Sequence, residues 1–227
     1  MDTKAFSDLF PLFSTSSPET IDWLLSIAVE HEYPKDRAVL MEDSWGNAVY
    51  FIVSGWVKVR RLSGDSAVTL AVLGRGDFFG EMAILDESPR STDVVALSGV
   101  KLLSVSAQRF IQTLFKDPQL HHRMLQLMVK RLRLTNVRFQ LRNQPPAIKL
   151  VRTLVTLAEN YGQRTEQGVE ILRIPDEDLS YISDIKPEES KKILEKLESK
   201  KWIESHDDNQ SLLLINIKQL AYLAEKG

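Results

Sequence analysis

Two side chains of opposite charge, Glu81 and Arg90, stand nine residues apart in the run FFGEMAILDESPRSTD that spans Phe78 to Asp93. A carboxylate accepts hydrogen bonds from hydroxyl groups, and a planar guanidinium fork suits a phosphate. The Ser91 and Thr92 hydroxyls follow Arg90 directly and add two short polar arms. Gly80 lets the backbone approach a ligand closely, and Met82 to Leu85, Ala83 included, form an apolar turn whose N–H groups can point at an anion. Together these residues predict a pocket for a sugar phosphate. The competing reading is a β-hairpin loop with a surface salt bridge between Glu81 and Arg90.

The same run resembles the phosphate-binding cassette of cyclic-nucleotide-binding domains. That pattern is Gly-Glu, a small apolar turn, then Pro-Arg followed by small or hydroxylated residues. Gly80, Glu81, Pro89, Arg90, Ser91 and Thr92 match it in order. The resemblance implies a cyclic nucleotide as a regulatory ligand, with no further cofactor.

The length of 227 residues suits two domains of ordinary size, each with its own core. No apolar run reaches the length of a membrane span, and MDTKAFSDLF has neither a basic start nor an apolar signal core, so the expected location is the cytoplasm with no membrane partner. The absence of cysteine excludes a thiolate nucleophile, a thiolate-held iron–sulfur cluster and a Cys-type zinc site. His31, His121, His122 and His206 show no metal spacing, so no metal site is expected. No nucleophile–base constellation is visible, which argues against an enzyme and leaves no catalytic residue to name.

Ser17, Pro18 and Glu19 read as a helix N-cap with proline at the first helical position, and the helix should end near Tyr33 and Pro34. From there to about Val105, short alternating runs such as Val49, Phe51 and Val53 against Tyr50 and Ile52, with glycines between them, predict a β-barrel or jelly roll. The pairs Ser54-Gly55 and Ser63-Gly64 are its expected turns, and Gly74 to Phe79 reads as a further turn cluster. Ser106 should cap a short helix reaching Phe115. Asp117 and Pro118 then start a long one running to about Asn143, where Pro145 and Pro146 stop it.

Leu125, Met128, Leu132, Thr135 and Phe139 recur at steps of three and four along that helix, a coiled-coil period that calls for a partner helix, most simply a second copy of the chain. In the cyclic-AMP receptor protein family, the long central helix forms the dimer and offers Thr plus a small polar residue to the adenine. Thr135 and Asn136 match these positions, although a polar pair could equally fix the register of a coiled coil. Between Pro118 and Ala158 the chain carries eight basic residues, Arg131 among them, and no Asp or Glu. Arg131 joins the expected ligand set. Such a charge row keeps a cyclic dinucleotide such as cyclic di-GMP beside cyclic AMP as a candidate, or else faces DNA or acidic surfaces of the second domain.

Beyond Pro145-Pro146, an amphipathic helix from Ile148 to Tyr161 precedes Asp176 to Ser183, a turn, and Pro187 to Lys200 with Ile193, Leu194 and Leu197 buried, a helix-turn-helix. Strand-like runs at Trp202 to Ser205 and Leu212 to Ile217, joined at Asp207-Asp208-Asn209, complete a winged helix. The family's recognition helix opens with Arg-Glu, continues with Ser or Thr and places another Arg one turn on. Here those places hold Pro187, Glu188, Glu189 and Lys192, and residues 147–227 carry 12 Lys plus Arg against 15 Asp plus Glu, a net charge of −3. Glu188, Lys191 and Lys192 are the expected DNA contacts, while the lysines could instead pair with neighbouring glutamates as a solvated face.

The sequence therefore predicts an α+β chain: a β-roll cyclic-nucleotide-binding domain over residues 1–116, a dimerisation helix over 117–144 and a winged helix-turn-helix domain over 145–227. The resemblance to the cyclic-AMP receptor protein superfamily of bacterial transcription regulators covers nearly the whole length. It implies a homodimeric regulator that binds cyclic AMP or a cyclic dinucleotide, and DNA. The alternative is a cyclic di-GMP effector whose altered winged helix acts through a protein, such as another transcription factor or RNA polymerase.

Overall fold

The computed structural model describes residues 1–64, 66–206 and 210–225, which group into two compact units, Met1–Leu134 and Thr135–Gly227. The chain enters through α1 (Thr3–Leu9), a 3-10 turn at Pro11–Phe13 and α2 (Pro18–Ile27). Asp2 caps α1, and the Ser17 side chain caps α2 by accepting from the Thr20 N–H at 3.2 Å. Replacing Ser17 by alanine should cost about 1 kcal/mol of stability, read by denaturant titration. The helix stops at Ile27, earlier than the sequence suggests, because Val29–Tyr33 leaves it as strand β1.

The strands that follow are β2 (Ala38–Leu40), β3 (Ala48–Ser54), β4 (Val57–Ser63), β5 (Ser66–Leu73), β6 (Phe78–Phe79), β7 (Asp93–Ala96) and β8 (Val100–Ser106), with the short helix α3 (Glu81–Leu85) between β6 and β7. They form two four-stranded sheets, ordered β1-β8-β3-β6 and β2-β7-β4-β5, and every pairing is antiparallel. Strand β3 explains why its apolar run is nearly continuous: both of its faces are covered. Val49 and Phe51 enter a core with the helical entry, whereas Ile52 enters a second core with Val57, Val94 and Leu102 of the other strands. Phe51 sits inside an aromatic cluster, 5.5 Å from the Phe10 and Phe13 rings and 6.2 Å from Phe6 and Phe110. The turn at Gly55 requires glycine, since its φ is +83° and a Cβ there would lie 2.2 Å from the Gly99 carbonyl oxygen.

Helix α4 (Ala107–Lys116) begins after Ser106, but the Ser106 side chain makes no capping bond. Asp117 does cap the long helix α5 (Pro118–Gln140), accepting from the Gln119 and Leu120 amides at 3.0 Å each. A 3-10 turn, Leu141–Asn143, follows. In α5, Leu120 and Met124 are buried, and Leu127 and Met128 pack at the edge of the first core. Leu125, Leu132 and Phe139 are 57%, 60% and 73% exposed within one chain.

The second unit continues with α6 (Pro146–Tyr161), β9 (Gln163–Arg164), β10 (Val169–Leu172), α7 (Asp176–Ile182), α8 (Pro187–Ser199), β11 (Ile203–His206), β12 (Ser211–Leu214) and α9 (Ile217–Glu225). Its sheet is ordered β11-β12-β10-β9. One buried stripe of α6, from Leu150 and Val151 to Leu157 and Ala158, anchors this core. Leu197 of α8 is buried, while Ile193 and Leu194 are half-buried. The second strand ends at Leu214, and Ile217 instead opens α9, whose amides start on Asn216: the Gln219 N–H donates to the Asn216 side chain at 3.1 Å. Among the described residues, no helix is long and apolar enough to cross a membrane, and no cluster of three His, Cys, Asp or Glu could hold a metal.

Candidate functional site: an arginine–carboxylate cassette between β6 and β7

Gly80 leaves β6 in the left-handed region at φ +87° and starts α3, so the apolar turn read from Met82 to Leu85 is one turn of helix. Alternation around that turn buries Glu81, Ala83 and Ile84 and exposes Met82 and Leu85. Glu81 is only 3% exposed and Arg90 only 4%, so the surface salt-bridge loop is not what this segment forms. A buried carboxylate needs a partner. Glu81 finds it in Arg131 of α5, which also donates to the Phe78 carbonyl at 2.6 Å and lies over the Phe78 ring, 4.4 Å from its centroid.

Arg90 is held by main chain. One of its terminal nitrogens donates to the Gly80 carbonyl, and the other donates to the Ala48 carbonyl at 2.8 Å. Its own backbone is clamped on both sides, with Arg90 N–H to the Ser44 carbonyl and Asp43 N–H to the Arg90 carbonyl, both 2.8 Å. Glycine 46 backs this arrangement: a Cβ there would meet Ala83 Cβ at 3.0 Å and the Arg90 guanidinium carbon at 3.4 Å. The Arg90 Nε is buried and has no hydrogen-bond partner among the described residues. Burial pulls the Arg90 guanidinium below the ordinary arginine range, opposed by the nearby Tyr50 and Glu81. Tyr50 stacks on Phe79, and burial raises its hydroxyl above the usual value.

Ser91 is exposed and Thr92 half-buried in the bend that leads into β7. The structure thus brings Gly80, Glu81, Ala83, Arg90 and Arg131 into one cluster, with Met82 on its outer side. Thr135 and Asn136 are exposed residues of α5 in the second unit. Sequence reasoning missed Phe78, Ala48 and Tyr50. Phe78 lay within the cassette and could have been noticed as a face for an arginine; the Ala48 carbonyl leaves no trace in side-chain chemistry.

In the second unit, Glu188, Lys191 and Lys192 are exposed on α8, and among the described residues none of the three makes an ion pair. The alternative, pairing of Lys191 and Lys192 with neighbouring glutamates, does not form among the described residues. Glu189 instead turns back to accept from the Lys186 N–H at 3.4 Å, capping the helix. Asp207 and Asp208 of the acidic wing lie outside the described residues.

The cyclic nucleotide-binding domain family matches residues 30–117, the two sheets and the cassette between them. Over 124 residues the chain is 35% identical to the cyclic AMP receptor protein of Thermus thermophilus, covering 54% of this chain and 57% of that one. Over 190 residues it is 26% identical to the cAMP-activated global transcriptional regulator CRP of Salmonella typhimurium, covering 82% of this chain and 90% of that one. The fold also matches the c-di-GMP responsive global regulator CLP of Xanthomonas campestris with a TM-score of 0.69 and 22% identity, over 87% of this chain and 99% of that one. The paired sheets and the buried cassette are those of a cyclic nucleotide-binding domain. With a helix-turn-helix unit following it, the chain resembles the cyclic-AMP receptor protein superfamily.

Proposed function

We propose that the protein is a homodimeric, cytoplasmic transcription regulator gated by a cyclic mononucleotide, cyclic AMP being the first candidate. The observation that carries this reading is the buried Arg90, whose Nε has no hydrogen-bond partner among the described residues, beside the buried Glu81. Arg90 would hold the phosphate, Glu81 the ribose hydroxyls, and Thr135 with Asn136 the base. Charge favours one phosphate over two. Of the eight basic residues between Pro118 and Ala158, five already serve the fold: Arg123 donates to the Pro11 carbonyl, Arg131 to Glu81, Arg138 to the Ile182 carbonyl, Lys149 to Asp184 and Arg152 to the Ala224 carbonyl. Within the cassette, Arg131 is neutralised by Glu81, so Arg90 is the cassette cation left to balance a single phosphodiester. This weighs against cyclic di-GMP.

Glu188, Lys191 and Lys192 of α8, which make no ion pair among the described residues, support DNA as the target. If Glu188 and Lys192 meet base edges, Lys192→Ala should weaken binding to a selected site by about 10-fold, and affinity should fall steeply with salt as phosphate counterions are released. Selection of DNA fragments by the nucleotide-bound protein checks both: a two-fold symmetric motif lost in Lys192→Ala supports the regulator. Random fragments alone, with a protein such as RNA polymerase retained instead, support the adaptor alternative.

A further inference from the structure

The four-residue turn between α7 and α8 is held by cations from two helices that flank the linker. At the end of α7 the chain satisfies its own carbonyls as far as it can: the Ser183 N–H donates to Leu179 and Tyr181, Asp184 N–H to Tyr181 and Ile185 N–H to Ser180. The last carbonyls of a helix have no partners within it. Here the Ile182 carbonyl accepts from Arg138 Nη2 at 3.0 Å, and the Asp184 carbonyl accepts from Lys149 Nζ at 3.0 Å. Lys149 also pairs with the Asp184 carboxylate at 2.7 Å, and its side chain is only 10% exposed. Asp184 itself sits in the left-handed region, at φ +53°, a conformation that Asp adopts more readily than most residues. A cation at the C-terminus of a helix is also favoured by the helix dipole.

Arg138 lies in the last turn of α5 and Lys149 in the first turn of α6. Between them run the 3-10 turn Leu141–Asn143 and the two prolines. We propose that Arg138 is a positioning residue which, with Lys149, clamps the α7–α8 turn to both sides of this linker, so that the end of α5 sets how α8 is presented. The proposal rests on the reading of α8 as the DNA-facing helix. It extends that reading by naming the contact through which a change in α5 reaches α8.

Arg142 is the internal control. It carries the same charge four residues on, is exposed, and makes no polar contact among the described residues. The test is amide hydrogen exchange over residues 182–186 in the full chain, without nucleotide or DNA, for the parent, Arg138→Gln, Arg138→Lys and Arg142→Gln. The expected result is about 10-fold faster exchange in Arg138→Gln, partial recovery in Arg138→Lys and no change in Arg142→Gln. Exchange in Arg138→Gln within twofold of the parent, or equal loosening in Arg142→Gln, overturns the clamp. Should Arg138→Gln not fold, Arg138→Lys decides by the same measure, since one ammonium replaces a fork: parental exchange refutes the proposal and faster exchange supports it. DNA affinity with and without cyclic AMP gives the second readout. Its ratio should shrink in Arg138→Gln and persist in Arg142→Gln, and an undiminished ratio in Arg138→Gln also overturns the clamp. A parent that shows no such ratio points to the nucleotide or DNA reading as the failure, and hydrogen exchange alone then decides for or against the clamp.

Discussion

Arg90→Ala is expected to weaken cyclic AMP binding by about 10-fold to 150-fold, the loss of a charge-assisted hydrogen bond. The site makes this a double effect. Arg90 joins the Gly80 and Ala48 carbonyls, so its removal also takes a donor from one part-buried and one buried acceptor. A stability loss of about 1–3 kcal/mol should accompany the affinity loss. Arg90→Lys separates the two: it keeps the charge and forfeits the fork, so it should recover part of the affinity without restoring both carbonyl bonds. Calorimetric titration of the folded variants checks this, and unchanged affinity in folded Arg90→Ala would remove Arg90 from the nucleotide site.

The second large effect is expected at the seam of α5. Leu125, Leu132 and Phe139 stand exposed on one chain in a coiled-coil repeat, more apolar surface than a lone helix face readily leaves in water. With two chains paired through that stripe, Leu132→Asp would bury a carboxylate without a partner, costing several kcal/mol. A dimer at micromolar concentration should therefore become monomeric or unfold, as read by sedimentation velocity. A monomeric parent under the same conditions contradicts the seam.

Local chemistry was legible in the sequence; long-range pairing was not. The cassette could be read because Gly80, Glu81, Arg90 and their neighbours announce themselves by type and spacing, and Ser17 announces its helix in the same way. Val29 to Tyr33 misleads because its apolar pattern can continue a helix. What makes it a strand is its ladder with β8, from Val29 opposite Ser104 to Tyr33 opposite Val100, across more than sixty residues of chain. Helix α9 escapes for a different reason. Leu212 to Ile217 reads as one apolar run, and the break depends on Asn216 acting as a cap, a signal that the sequence does contain. The partner of Glu81 lies fifty residues away in sequence, so a loop salt bridge to Arg90 is the nearer guess. The same holds for the basic row: charge counted along a sequence suggests a doubly phosphorylated ligand, whereas the structure ties five of those eight residues to carbonyls and carboxylates of the fold.

The cassette should bind one cyclic mononucleotide per chain. Equilibrium titration of the purified protein with cyclic AMP, cyclic GMP and cyclic di-GMP tests it most directly. Saturable binding of a cyclic mononucleotide at one per chain is expected, lost in Arg90→Ala, with weaker binding of cyclic di-GMP. Saturation by cyclic di-GMP in preference to both mononucleotides, or no saturable binding of any of the three, would contradict it.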